Sequence, residues 1–170
     1  AYTGDIDICG WKRPQSYYRD ALWKNNQLSI FVSPGEPSFP LPVEKKPWSR
    51  WEWHDVLHDW NWTGYENRPF DITVYSSCEE VELFLNGKSL GEKPTNRGTR
   101  FIAAWQVPYK AGSLKAIGYR DRKQVNVSEL NTSGNVEQLN ISADKVQLNA
   151  DGQDLSYITI DLVDGNGFLN

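Results

Sequence analysis

The sequence predicts a mainly β chain: an Ig-like antiparallel β-sandwich, preceded by a strand-helix segment and followed by the start of a second β domain. Three observations carry that expectation. In Glu79–Glu92, Val81, Leu83 and Leu85 alternate with Glu82 and Phe84, and Asn86-Gly87 follows, a pair suited to two successive positive φ values, so Lys88, Ser89 and Leu90 return as a partner strand that Gly91 relaxes. From Trp48 to Gly134, short apolar runs recur between turn residues at the spacing of an antiparallel sandwich. Before Trp48 the grammar is instead strand, helix, strand, and after Gly134 the run pattern restarts.

Taken in order, residues 1–10 read as a short buried strand ended by Gly10. Pro14 suits a first helical position, and a helix over about 14–25 would present Tyr18, Ala21 and Leu22 on one face before Asn25-Asn26 ends it. Leu28–Ser33 is a second extended run, and 34–47 is a proline-rich loop. The sandwich strands are then expected at Val56-Leu57 with Trp60 and Trp62, 70–75, 81–85, 88–92, 101–107, 114–119 and 124–130. Phe101, Ala103, Trp105 and Val107 share one face, and Leu114, Ala116 and Gly118 another. Runs at 136–141, 146–148 and 155–163 follow, with Ile158, Ile160 and Leu162 on one face, and Asp164-Gly165-Asn166-Gly167 forms a turn with nothing after it to pair. Three strands cannot close a sandwich, so this last part reads as a domain cut short. The expected divisions are 1–47, 48–134 and 135–170, which would make 1–47 dispensable for folding of the central sandwich.

The formal net charge is -4 and the pI about 5.2, which argues against a nucleic-acid or anionic-membrane surface, since both need a basic patch. No run approaches the roughly twenty apolar residues that span a bilayer. Cys9 and Cys78 are the only cysteines, without metal-type spacing, and are expected as two unpaired thiols. The chain begins at Ala1 without an initiator Met, and we expect a piece of a longer protein whose targeting segment lies elsewhere. Eight Trp, eight Tyr and six Phe are the compositional anomaly, with Trp48, Trp51, Trp53, Trp60 and Trp62 close together. Such a cluster either offers faces to sugar rings or fills the seam between two domains.

The residues resemble the C-terminal part of a glycoside hydrolase family 2 enzyme of the bacterial β-galactosidase type. Gly4-Asp5-Ile6-Asp7-Ile8-Cys9-Gly10-Trp11, Lys12 and Tyr17-Tyr18 are similar to the last strand and helix of that family's catalytic (β/α)8 barrel. His58-Asp59-Trp60-Asn61-Trp62 and Val81–Gly91 are similar to its following Ig-like domain, and Asn149–Asp154 with Asp164–Gly167 to the start of a further bacterial Ig-like domain. The resemblance implies a strand-helix remnant of the barrel at 1–47, and a parent enzyme that hydrolyses β-glycosides, most readily β-galactosides, with retention. Two glutamates about 5 Å apart on barrel strands would do that chemistry. A barrel needs about 250 residues, so both glutamates would lie upstream of Ala1. The resemblance therefore implies an inactive, non-catalytic fragment supporting the barrel, with no cofactor and no metal. Its partners would be the carbohydrate substrate of the full-length enzyme and, if an exposed seam pairs, a second copy; nucleic acid and a membrane span are not expected. The location implied is periplasmic or extracellular. The alternatives are a carbohydrate-binding module, or a structural or adhesive Ig-like module of a bacterial surface protein.

Trp11 and Lys12 are the candidate substrate-binding residues: if residues 5–9 are the eighth barrel strand, both lie just past its carboxyl end, where active sites of that fold are built. The competing role for Trp11 is packing under a loop. Glu79 and Glu80 are adjacent on a strand, point to opposite faces and cannot flank one glycosidic bond. Asp5 and Asp7 share a face, as structural hydrogen-bonders more than as a catalytic pair. His54 and His58 have a spacing that holds zinc on a helix, but their flanks read as strand. Asn61, Asn126, Asn131 and Asn140 begin N-x-S/T patterns that report a polar β surface.

Overall fold

A computed structural model describes residues 4–36 and 54–170; most of the expected loop at 34–47, and Trp48, Trp51 and Trp53, lie outside the described residues. The chain forms two compact units, Ala1–Asn131 and Thr132–Asn170. The first holds α1 (Pro14–Trp23) and β1 (Leu28–Val32), then β2 (Pro69–Ser76), β3 (Glu80–Leu85), β4 (Lys88–Pro94), β5 (Ile102–Pro108), β6 (Ser113–Arg120) and β7 (Lys123–Asn131). A three-stranded antiparallel sheet in the order β1-β2-β5 and a four-stranded one in the order β4-β3-β6-β7 enclose one core, as in an Ig-like sandwich.

The seventh strand is not the one expected. Residues 56–62 form no strand, and their ladder link among the described residues is a bridge from Leu57 to Val32. Val56 and Trp60 would share one strand face, but His58 between them is exposed, and the two buried residues serve different clusters, Val56 with Phe31 and Tyr75 and Trp60 with the sandwich core. Trp60 instead plugs the end of the core, its indole N–H donating to the Lys110 carbonyl at 3.1 Å and its ring meeting Tyr109 edge-on at 5.0 Å. The missing strand is β1, paired along its length with β2 from Leu28↔Ser76 to Val32↔Ile72.

That pairing corrects the boundary expected after residue 47. Leu28, Ile30 and Val32 point into the sandwich core with Ile72, Val74 and Trp105. Phe31, on the opposite face, packs with Tyr75, Val56 and Ala21, and Tyr17 and Tyr18 of α1 close over this second cluster. β1 is therefore apolar on both faces because one meets the sandwich and the other meets a helix.

The helix is two residues shorter than expected and begins with Pro14 at its first turn. Its N-cap, Arg13, gives no side-chain bond, and at ten residues α1 is too short to persist alone. Packing holds it, through Tyr17, Tyr18 and Ala21. Leu22, expected on the buried face, is 40% exposed.

Of the buried strand expected over residues 1–10, the described residues 4–10 form none. Residues 5–13 double back as a tight turn closed by an Ile6↔Lys12 bridge, and Ile6, Ile8 and Cys9 are exposed. With no neighbouring strand described beside them, their amides turn to the Asp7 carboxylate, which accepts from the Cys9 and Trp11 N–H groups at 2.8 and 2.9 Å.

The hairpin at Glu79–Glu92 forms with Asn86 at φ 50° and Gly87 at φ 78°, the pair of left-handed residues its sequence asks for. Leu85 faces Lys88 and Phe84 faces Ser89, then a bulge at Leu90-Gly91, with Gly91 at φ 97°, shifts the register so that Glu82 faces Glu92. Asn86 also staples the hairpin to the β5–β6 loop, its Oδ1 accepting from the Ser113 amide at 2.8 Å and its Nδ2 donating to the Ala111 carbonyl at 3.0 Å.

The second unit is a two-stranded hairpin, β8 (Gln138–Ala143) with β9 (Ile158–Val163). Val146–Leu148 is not a strand, and Val146 is fully exposed. Leu139↔Leu162, Ile141↔Ile160 and Ala143↔Ile158 set an apolar row across the pair. The turn at Asp164–Gly167 does have a sequel: Leu169 bridges back to Val163. Buried Asp164 organises it, accepting from Gly134 N at 2.7 Å, Asn166 N at 2.8 Å and Phe168 N at 2.9 Å.

Two measurements check this architecture. Removing residues 1–33 takes three core side chains at about 1.5–3 kcal/mol each, comparable with a whole domain's stability, so the cooperative urea transition is lost, whereas removing 1–13 leaves it in place. The Gly134, Phe168 and Asn166 amides hold the Asp164 carboxyl below its ordinary range. Its contribution is then fully present above about pH 4 and lost as pH falls through the lower folded-state value. Amide-exchange protection at Gly134, Asn166 and Phe168 should follow that course, and Asp164→Ala should abolish it at every pH.

Candidate functional site

Trp11 and Lys12 stand at the end of the turn that Asp7 builds. Asp7 N donates to the Trp11 carbonyl at 2.9 Å and Arg13 N to the Asp5 carbonyl at 2.8 Å, so the turn is closed on both sides of Trp11. The buried Gln15 side chain donates to the Gly4 carbonyl, and Asp5 pairs with Arg19, which ties the turn to α1. Trp11 is 60% exposed, beside the exposed Ile8 and Ile6. Lys12 is not free: its Nζ lies 2.5 Å from Asp20 Oδ2 and 5.4 Å from the centre of the Tyr17 ring. Hydrogen bonds from Lys12, then Lys24, hold the Asp20 carboxyl below its ordinary range. The arrangement offers an aromatic surface with a cation fixed near it, suited to holding a ring and without a group poised to react.

His58 belongs to the same stack. Its ring lies parallel to Tyr17, 10° apart in plane with centroids at 6.4 Å, and tilts on Phe31 at 5.5 Å, while Nδ1 donates to the Ile30 carbonyl at 2.7 Å. Lys12, Tyr17 and His58 thus form a continuous pile that sets α1 against β1. Among the described residues no group of three or more His, Cys, Asp and Glu, at His54 and His58 or elsewhere, could hold a metal ion. Asp59 turns its Oδ1 to the Asn61 backbone N–H at 3.0 Å and side-chain amide at 2.8 Å. Burial pushes its carboxyl up, and the Asn61 bonds oppose that rise.

The other carboxylates have structural partners. Glu79 Oε2 accepts from the Asp121 amide at 2.9 Å, away from Glu80. The face-sharing acids are instead Glu80, Glu82 and Glu92, brought together by the Gly91 bulge. Glu82 accepts from Ser89 Oγ at 2.6 Å and from the Tyr119 hydroxyl at 3.3 Å. Desolvation, then a hydrogen bond shared with Glu80, raises the Glu92 carboxyl. Trp60 and Trp62 serve the core and its rim: Trp62 tilts on Phe70 at 5.1 Å and meets Tyr65 edge-on at 6.3 Å.

The sequence carries no warning of the joint that fixes α1 to the sandwich. Ser77 Oγ donates to the Lys24 carbonyl at 2.7 Å and accepts from Gln27 N at 2.9 Å. Arg120 donates through Nε to Asn26 Oδ1 at 2.9 Å and through Nη2 to the Ser77 carbonyl at 2.6 Å, and Asn126 Nδ2 donates to the Asn26 carbonyl at 2.6 Å. Beneath it lies Cys78, whose Sγ occupies the space a Cβ at Gly118 would need, 2.4 Å away. No helix among the described residues is long and apolar enough to cross a membrane.

A domain family described as a domain of unknown function (DUF4982) matches residues 67–126. A protein named β-galactosidase BoGH2A, from Bacteroides ovatus, is 35% identical over 99% of this chain. A putative β-glucuronidase of Formosa agariphila is 30% identical over 76% of it. A solved glycosyl hydrolase family 2 member from Bacteroides cellulosilyticus superposes on 98% of the chain with a TM-score of 0.93 at 45% identity. The chain spans only a fraction of these proteins, 18% of the first, 10% of the second and 22% of the third.

The two cysteines separate by burial. Cys9 is exposed, whereas Cys78 is buried and desolvation pushes its thiol above the ordinary range, which depletes the reactive thiolate. A thiol-specific disulfide reagent at pH 8 should therefore titrate one cysteine quickly in the native chain and both in urea.

Proposed function

We infer that this chain, whose homologues are glycoside hydrolase family 2 enzymes, is the non-catalytic part of a retaining β-glycosidase and seats the end of the catalytic barrel on an Ig-like sandwich. The observation that carries this reading is the fixed joint between α1 and the sandwich. A ten-residue helix without a side-chain N-cap bond is locked by the Tyr17–Phe31–His58 stack on one side and by Arg120 and Ser77 at its end. The turn at residues 5–13, rooted on that helix, holds Ile6, Ile8 and Trp11 outward. Exposed Ile6 and Ile8 on a rigid support are what a docking edge for further barrel strands requires, with Trp11 left open beside them.

Catalysis would come from glutamates of the barrel, since retaining hydrolysis needs two carboxyl groups about 5 Å apart across one pocket. Glu82 here is engaged with Ser89 and Tyr119 on a sheet face, and Asp5, Asp7 and Glu79 hold structural partners. β-Galactosides are the substrate class we assign, because the β-galactosidase of Bacteroides ovatus aligns along nearly the whole chain. Trp11 would stack on the sugar at the open end of the barrel. Lys12, held by Asp20, would keep α1 and Trp11 in register.

The isolated chain should not hydrolyse 4-nitrophenyl β-galactoside. In the full-length enzyme, Trp11→Ala should lower kcat/KM about tenfold with little change in melting temperature, as loss of a ring contact predicts. Phe31→Ala should cost about 3–5 kcal/mol of stability by emptying the helix seat. Turnover by the isolated chain, or a full-length enzyme indifferent to both substitutions, would overturn the reading.

A further inference from the structure

Between the C-terminal end of α1 and the loops after β2, β4 and β6 lies an open cleft of about 600 Å³, within the size range of small-molecule sites. Trp23 stands at its edge, 77% exposed, and Phe101 forms part of its wall. Phe101 and its neighbour Arg100 have φ of 59° and 55°, a left-handed pair without glycine. Each such residue costs about 1–2 kcal/mol, and strain of this kind gathers at ligand sites. The loop sustains it with the Asn96 side chain, which accepts from Gly98 N at 2.8 Å, and with Phe101 N donating to the Asn96 carbonyl at 2.9 Å.

The cleft is positive in a chain whose net charge is -4. Arg97 and Arg120 line it against one carboxylate, Glu79, which already accepts from the Asp121 amide, while Lys24, also in the lining, is paired with Asp20 at 2.8 Å. Arg120 is bonded to neutral acceptors, the Asn26 side chain and the Ser77 carbonyl, so its charge stays uncompensated. Arg97 enters none of the ion pairs among the described residues. A guanidinium with open donors binds a carboxylate or sulfate in the fork geometry that an ammonium lacks. An exposed indole beside it supplies a flat apolar face for the C–H side of a pyranose ring.

We propose that this cleft binds a saccharide bearing an anionic substituent, the ring stacked on Trp23 and the anion held by Arg97 with Arg120 behind it. The saccharide class rests on the reading of the chain as part of a glycan-degrading enzyme. The anion preference rests on the cleft alone.

Two glycosides that differ only at C6 test it: methyl β-D-glucuronide and methyl β-D-glucoside, titrated into the full chain and followed by NMR at the Trp23 indole N–H and at the backbone amides of the cleft wall, Asn96 and Phe101, which all variants retain. The glucuronide should give a saturable millimolar shift that weakens as salt rises, and the glucoside none. Arg97→Ala should weaken binding about tenfold and Trp23→Ala should abolish it, while both variants keep the native amide spectrum, since both side chains are exposed. Equal responses to the two glycosides, no saturable response, or binding unchanged in both variants would overturn the proposal. Binding is read here without turnover, so this outcome and that of the hydrolysis assays stand apart.

Discussion

Arg120 is the side chain on which the arrangement of the first unit turns. It lies at the end of β6, yet it bonds Asn26, which follows the helix, and Ser77, which follows β2. Three segments remote in sequence meet at one half-buried cation. Its bonds go to neutral oxygens, so each is charge-assisted without the desolvation of a second ion. Asn26 can accept this role because it adopts φ 56°, a conformation that asparagine tolerates and that turns the chain from α1 into β1. Move that turn and β1 leaves its register with β2.

From β1 the rest follows in both directions. Its inward residues complete the sandwich core, and its outward Phe31 gives the short helix the apolar seat it needs, a hollow lined by aromatic rings. Helix and sandwich are consequently one packed body, and the tight turn that bears Trp11 inherits that rigidity through Gln15 and Arg19. A surface held that firmly can position a neighbouring barrel, which a tethered domain on a free linker cannot.

Where the sequence was legible, the signal was local. Val81, Leu83 and Leu85 alternate inward, Asn86-Gly87 turns as its residue types require, and Ala103, Trp105 and Val107 face the core as their spacing implies. What escaped was long-range or one residue fine. Leu28 and Ser76 are adjacent in the sheet and far apart in the chain, and no periodicity within Leu28–Val32 says which sheet it joins. The Gly91 bulge moves the facing residue of Glu82 by one position, enough to bring Glu92 beside it, and a two-residue hairpin read at constant register would miss this. At the candidate site, Trp11 was legible as a large aromatic after a strand-like run. That the run is a turn built by Asp7 was not, because pairing partners, not residue types, decide whether such a segment extends.

The same distinction explains the aromatic excess. Trp60, Phe70 and Tyr109 close one end of the core, Tyr17, Phe31 and Tyr75 seat the helix, and neither set is open to a sugar. Among the described residues, the tryptophans more than half exposed are Trp11 and Trp23, one before and one at the end of the same helix. Both are held from beneath by polar bonds and not by apolar cover: Trp11 through Asp7, Trp23 through the bond from Lys24 N to the Asp20 carbonyl that caps the helix. A solvent-facing indole whose backbone is this tightly fixed keeps its desolvation gain for a partner, with little ordering left to pay on contact. That division, buried aromatics for the joint and exposed ones at its two ends, gives this unit two surfaces suited to recognition.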